Sequence, residues 1–144
     1  MQNTRYTLTL VFDPSIQKVL MVMHHKQGML NFVGGHIEPN ENEMEASYRE
    51  LYEETGITKD DIELKFVQSE HCIAPFANPE WYLYITTGIL THDVELKPEK
   101  NELCWINCTD TNILLNNSFG DGNCLVFLRR ALLALVRGVI NDKP

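Results

Sequence analysis

Basic residues are in short supply. The 144-residue chain has 12 Lys and Arg against 20 Asp and Glu, a formal net charge of -8 at pH 7. Non-specific binding to DNA or RNA needs a basic face, so nucleic-acid partners are disfavoured. Small anionic substrates stay open, because a bound divalent cation reverses the local field. Long apolar runs are missing too. Nothing approaches the ~20 residues that span a bilayer, so no membrane partner is expected. The stretch MQNTRYTLTLVF lacks a basic n-region, a long apolar core and a small-residue cleavage site, and is not expected to be a secretory signal. Cysteines are few. Cys72, Cys104, Cys108 and Cys124 form no C-x2-C pair and have no His at a companion spacing, which speaks against structural zinc. Isolated thiols in a reducing cytosol are the simpler reading, and a cytoplasmic protein is expected.

What is present is ordinary globular composition. Apolar residues make up 44% and charged residues 22%, which argues against disorder. The length suits one domain over 1–144, without repeat, low-complexity run or linker. Tyr6 to Phe12 is rich in β-branched and aromatic residues and reads as a strand. Asp13-Pro14-Ser15 is a turn signal, and Lys18 to His24 reads as the returning strand. Gly28 and then Gly34-Gly35 punctuate a loop around a short apolar piece, Leu30 to Val33. A helix follows, with Asn42 as N-cap, Glu45 at N3 and Gly56 placed to end it left-handed. Ile62 to Gln68, Trp81 to Ile89 and Glu102 to Asn107 read as further strands, and Asn123 to Val139 as a second helix packed on the sheet. Strands, helix, strands, helix predicts an α/β fold, a mixed sheet with helices on its faces.

From Glu38 to Glu54 there are seven acids, Glu38, Glu41, Glu43, Glu45, Glu50, Glu53 and Glu54, and one cation, Arg49. A helix built for stability alone would interleave Lys or Arg at i+3 or i+4, because like charges there repel. The missing positive charge is therefore expected from outside the chain. At about 100° per residue, Met44, Tyr48, Leu51 and Thr55 share one buried stripe, while Glu50, Glu53 and Glu54 fall on a separate arc about 100° wide. Carboxylates gathered this way suit Mg²⁺ or Mn²⁺. A solvated acidic face is the competing reading. Gly34 and Gly35 let backbone approach a ligand closely, and Arg49 can hold one acid in a bidentate pair.

These residues resemble the signature of the Nudix hydrolases, G-x5-E-x7-R-E-U-x-E-E-x-G-U with U apolar. Gly35, Glu41, Arg49, Glu50, Leu51, Glu53, Glu54, Gly56 and Ile57 fill it without departure. The order of elements around it is similar over most of the chain. The resemblance implies an α/β/α sandwich with a mixed central sheet, and Mg²⁺-dependent hydrolysis of a nucleoside diphosphate linked to another moiety, with Mn²⁺ as a substitute. It implies that Glu50, Glu53 and Glu54 hold the metal, with the Gly34 carbonyl as a further ligand. It assigns the general base to one of these or to a glutamate of a later loop. Arg49 and Glu41 would orient the carboxylates. Homodimers are a recurrent assembly in the family. A later acid should complete the site, and Glu99 is favoured over Glu102 in KPEKNELCWIN; two solvated loop acids are the bland alternative.

The substrate signal is thinner. The MutT-like members, which remove oxidised purine nucleoside triphosphates, place an Asn near Asn31 and an aromatic and Asp residues near Phe119 and Asp121. An Asn offers a base edge both donor and acceptor, although Asn, Gly and Asp clusters also mark plain loops. His36 is either a phosphate contact or a loop residue. Trp81 and Tyr82 either stack on a base or belong to the core. ADP-ribose, dinucleoside polyphosphates and nucleotide sugars remain alternatives. So does another class, a catalytically silent nucleotide-sensing module, against which the intact motif speaks. A calcium buffer is weaker still, since the loop lacks the alternating ligands of an EF-hand.

Overall fold

A computed structural model describes residues 4–24, 28–72, 81–118 and 123–141. Seven strands form one mixed sheet. Strand β1 (Thr4–Phe12) lies at its centre and pairs in parallel with β6 (Trp81–Ile89) along its whole length, from Thr4↔Trp81 to Phe12↔Ile89. Its other edge is shared. The first half pairs antiparallel with β4 (Val33–His36), and Phe12 pairs with Val19 of β2 (Lys18–His24). Asp13 organises the intervening turn by accepting from the backbone N–H groups of Gln17 and Lys18, both at 2.8 Å. Strand β2 takes β7 (Glu102–Asn107) on one edge and β3 (Met29–Asn31) on the other, while β5 (Lys65–Cys72) closes the far side against β6.

Side chains alternate across the pleat. Leu10, Phe12, Val19, Met21, Leu83 and Ile85 face one side, where Leu128, Ala131 and Leu135 of α3 (Asn123–Asn141) and Leu114 of α2 (Thr111–Asn116) cover them. Val11, Leu20, Val22 and Val33 face the other side with Leu51 of α1 (Glu43–Thr55) and Ile57, Ile62, Leu64 and Leu90. The architecture is the expected α/β/α sandwich. Among the described residues, no helix is long and apolar enough to cross a membrane.

Helix α1 carries the expected caps. Asn42 accepts from the Glu45 N–H at 2.8 Å and Glu45 accepts from the Asn42 N–H at 3.1 Å. Gly56 ends it at φ 80°. Leu51 and Thr55 of the expected stripe are buried, whereas Met44 and Tyr48 lie half-buried at its margin. Two expectations shift. The piece Leu30 to Val33 splits between β3 and β4, too short to show a strand period; Gly28, at φ 63°, turns the chain back toward β2. The strand expected over Ile62 to Gln68 runs Lys65–Cys72 instead. Apolar Ile62 and Leu64 pack beneath α1, and the ladder continues into the polar residues beyond.

Candidate active site

The acidic face of α1 meets strand β4 at its two glycines. Gly35 has no room for a side chain: an ideal Cβ there would lie 2.4 to 2.6 Å from the Glu50 carboxylate atoms. At Gly34 a Cβ would lie 1.9 Å from the Thr7 carbonyl oxygen, so β4 sits tight on β1. The Gly34 N–H donates to Glu54 Oε2 at 3.3 Å. Both glycines are therefore required by close approach, not by an unusual dihedral angle.

Arg49 is the hub of the acids. Its Nε donates to both Glu41 oxygens at 3.2 and 3.1 Å, and Nη2 donates to Glu41 Oε1 at 2.5 Å. Its Nη1 reaches Glu50 Oε1 at 3.0 Å and Glu53 Oε2 at 3.2 Å, and Nη2 also donates to the His36 carbonyl at 2.9 Å. Glu41 in turn accepts from the Glu38 N–H at 2.9 Å. Arg5 binds the Glu38 and Glu41 carbonyls at 3.2 and 3.3 Å, so the loop before α1 is held from both sides. Planar Arg can serve several carboxylate and carbonyl oxygens at once, which an ammonium cannot do with the same geometry.

The electrostatics separate the acids by environment. The Arg49 hydrogen bonds hold the Glu41 carboxyl below its ordinary range. Burial pushes Glu50 up despite Arg49. Glu54 is raised to about 7, first by burial and then by the charge of Glu50, with smaller contributions from Glu99 and Glu53. Burial and its acidic neighbours thus disfavour the ionised form of Glu54, whose charge the described residues leave largely uncompensated. Glu99, exposed on the loop before β7, is near enough to be felt at Glu54, whereas Glu102 opens β7 opposite Met23.

Among the described residues, no three His, Cys, Asp or Glu groups converge as a ready-made metal cage. The donor chemistry nonetheless fits a hard cation. Glu50 and Glu53 turn toward Arg49, Glu54 turns toward Gly34, and Glu50 and Glu54 resist ionisation, first because they are buried and then because acids crowd them, a penalty that a cation bound among them would offset. Glu50, Glu53, Glu54 and the Gly34 carbonyl are the groups that would hold it.

A cavity of about 700 Å³ opens beside this cluster. Gly34, Gly35 and Glu54 line it together with apolar Leu8, Leu83 and Phe127. Asn31 lines it too, its Oδ1 accepting from the Phe32 N–H at 2.8 Å, which leaves the amide NH₂ for another partner. Phe119 and Asp121 lie outside the described residues. The His36 ring packs on Tyr6 at 4.4 Å and an interplanar angle of 47°. Tyr82 stacks on His71 at 4.4 Å and 7° and does not line the cavity; the Trp81 side chain lies outside the description.

The NUDIX domain model matches residues 3–125 of this chain. The chain belongs to the Nudix family. Members of this family generally work with divalent metal ions. A 55-residue segment is 42% identical to the RNA pyrophosphohydrolase of Histophilus somni, over 38% of this chain and 28% of that protein. The match thus spans little more than a quarter of that relative's length. The fold superposes on MutT from Bacillus halodurans with a TM-score of 0.64 at 27% identity, covering 86% of this chain and 79% of that one. It superposes on an Ap4A hydrolase of C. elegans with a TM-score of 0.74 at 15% identity, covering 94% and 98%; this second likeness is one of fold.

Several residues at the Nudix site carry no motif signal. Arg5 is distant in sequence from the loop it pins. Asn123, Val126, Phe127 and Arg130 of α3 face the cavity, at helical spacing i, i+3, i+4 and i+7. That spacing was visible in the sequence, but the helix reads there as core. Arg130 Nη1 donates to Gln68 Oε1 at 2.7 Å and Glu70 Oε1 at 3.2 Å, which ties this face to β5.

Proposed function

We propose that the chain is a single Nudix domain that hydrolyses the diphosphate linkage of a nucleotide. The substrate it fits best is a purine nucleoside triphosphate, (8-oxo-)guanine nucleotides included, with the monophosphate and pyrophosphate as products. Magnesium is the metal of this reading and manganese its substitute, held by Glu50, Glu53, Glu54 and the Gly34 carbonyl. One observation carries it: Glu54, the under-compensated carboxylate of α1, lines a cavity of about 700 Å³ together with Gly34 and Gly35, and the other walls of that cavity are largely apolar. A diphosphate is far too small to need that volume, so a base or other organic moiety belongs there.

Bound metal supplies charge neutralisation at the phosphate oxygens and lowers the pKa of water. The chain's own residues do the rest. Arg49 keeps Glu50 and Glu53 oriented, and Glu41 fixes Arg49. Glu99, or one of the three motif glutamates, accepts the proton of the water that attacks phosphorus as the bridging P–O bond breaks. Asn31 offers hydrogen bonds to the base, while Leu8, Leu83 and Phe127 supply apolar walls around it. RNA, Ap4A, ADP-ribose and nucleotide sugars remain rival substrates; a net charge of -8 weighs against a long RNA chain. A silent nucleotide-binding module is disfavoured by the complete set of motif acids.

The test is incubation with Mg²⁺ and a panel of nucleoside triphosphates, 8-oxo-dGTP, ADP-ribose and Ap4A, with products separated by chromatography and Glu54→Gln as control. A purine triphosphate that leads and releases pyrophosphate supports the reading. A leading dinucleotide or ADP-ribose retains the hydrolase and refutes the substrate. No turnover by either protein, with nucleotide still bound, favours the silent module. Asn31→Ala should raise KM for the best purine while leaving a pyrimidine analogue unchanged; equal effects on both remove Asn31 from base recognition.

A further inference from the structure

We propose that Ser47 and Thr7 form a positioning device for the carboxylate site, part of a buried hydroxyl chain that sets how α1 sits against β1 and β6 and, through the pairing of Thr7 with Gly35, against β4. The consequence for catalysis rests on the hydrolase reading above; the geometry does not.

Ser47, Thr7 and Thr86 are 0% exposed and Thr9 is 1% exposed. Ser47 Oγ donates to the Glu43 carbonyl one turn back, at 2.8 Å. A hydroxyl has one proton. Ser47 must therefore accept from Thr7 Oγ1 at 2.6 Å and from Thr86 Oγ1 at 3.1 Å. The Thr86 proton is then committed, so Thr9 must be the donor to Thr86 Oγ1 at 2.8 Å. The result is one directed network, Thr9 to Thr86 to Ser47 to the helix backbone, joined at Ser47 by Thr7. Two strands and one helix meet in it.

Apolar side chains could fill the same space, but they would let the helix turn or slide, since hydrophobic contact is non-directional. Hydrogen bonds fix direction as well as distance. Ser47 lies three residues before Glu50 and seven before Glu54, so two helical turns bring Glu54 back to nearly the same side. Thr7 pairs with Gly35 across the β1–β4 ladder, and Gly35 abuts the Glu50 carboxylate. The path Ser47, Thr7, Gly35, Glu50 thus begins and ends on α1. With no slack at Gly35, a shift of α1 is transmitted to Glu50 directly, and to the contact between Glu54 and the Gly34 N–H.

Ser47→Ala and Thr7→Val remove the central hydroxyls. Thr9→Val removes the outermost one and serves as the control of similar burial. The readouts on the full chain are Mn²⁺ affinity by titration calorimetry, amide exchange at Gly34 by NMR in metal-free protein, and melting temperature. Ser47→Ala and Thr7→Val should bind Mn²⁺ at least tenfold more weakly and exchange the Gly34 amide at least fivefold faster. Thr9→Val should match the parent in both while still melting lower. Thr7→Ser, which keeps the hydroxyl, should stay within twofold of the parent, and it carries the test if Thr7→Val does not fold. Equal changes in all three hydroxyl-deleting variants would reduce the network to ordinary core stabilisation and overturn the proposal, as would unchanged affinity and exchange in Ser47→Ala. A parent protein that takes up no Mn²⁺ would instead count against the hydrolase reading, and Gly34 exchange alone would then decide on the positioning role.

Discussion

Gly35→Ala is the sharpest perturbation the site offers. The added carbon would sit 2.4 Å from Glu50 Cδ, 2.5 Å from Oε1 and 2.6 Å from Oε2. Carbon atoms settle at about 3.5–4.0 Å, so the carboxylate or β4 must retreat by roughly 1 Å. The backbone of β4 is held by its ladder with β1 from Tyr6↔His36 to Thr9↔Val33, and the side chain is the softer partner. Glu50 is also tied to Arg49 at 3.0 Å, and Arg49 to Glu41, so its retreat disturbs the whole cluster. A misplacement of about 1 Å at a reacting centre costs on the order of 10²-fold in rate. Stability should suffer less. Gly35 has an ordinary φ, and overpacking at a partly open position costs at most about 1–3 kcal/mol, a few degrees of melting temperature. The assay is steady-state nucleotide hydrolysis with Mg²⁺ beside thermal melts. The expected result is kcat/KM down about 100-fold with the fold intact, and little further loss when Glu50→Gln is added, because both changes disable one unit. Activity within twofold of the parent would refute the argument that Glu50 works from the place Gly35 makes for it.

Other outcomes follow from the same geometry. Metal-free stability should fall as pH rises between about 4.5 and about 7, because Glu54 holds its proton in the folded state after the unfolded chain has released it. Glu54→Gln should therefore stabilise the metal-free protein at pH 8 by about 1–2 kcal/mol after allowance for solvent screening, have little effect near pH 4, and abolish turnover; a stability gain that is the same at both pH values would contradict this. Glu99→Gln should lower turnover at least tenfold with little change in melting temperature, and Glu102→Gln should not; parental rates in the first would remove Glu99 from the site. Arg49→Lys keeps the charge and loses the fork to Glu41, Glu50, Glu53 and the His36 carbonyl, so activity should drop by about 10- to 100-fold; full retention would show that charge alone suffices.

Much of this was legible in the chain. The helix α1 announced itself through Asn42, Glu45 and Gly56, because caps are local chemistry. The carboxylates at 50, 53 and 54 share a face by helical spacing alone, and the signature from Gly35 to Ile57 needed no tertiary information. The order of strands and helices along the chain predicted a mixed sheet covered on both faces. Folding decided what local rules cannot reach. The three- and four-residue strands β3 and β4 exist only because longer neighbours pair with them. Arg5 reaches a loop more than thirty residues away, and Glu54 finds the Gly34 N–H from twenty residues away. Thr7, Thr9, Ser47 and Thr86 look like scattered polar residues until three elements bury them together. The sequence by itself determined which acids could act and on which element they stand. Only the tertiary structure decided how far they lie from Gly34 and Gly35, since such distances depend on packing between segments with no spacing rule between them.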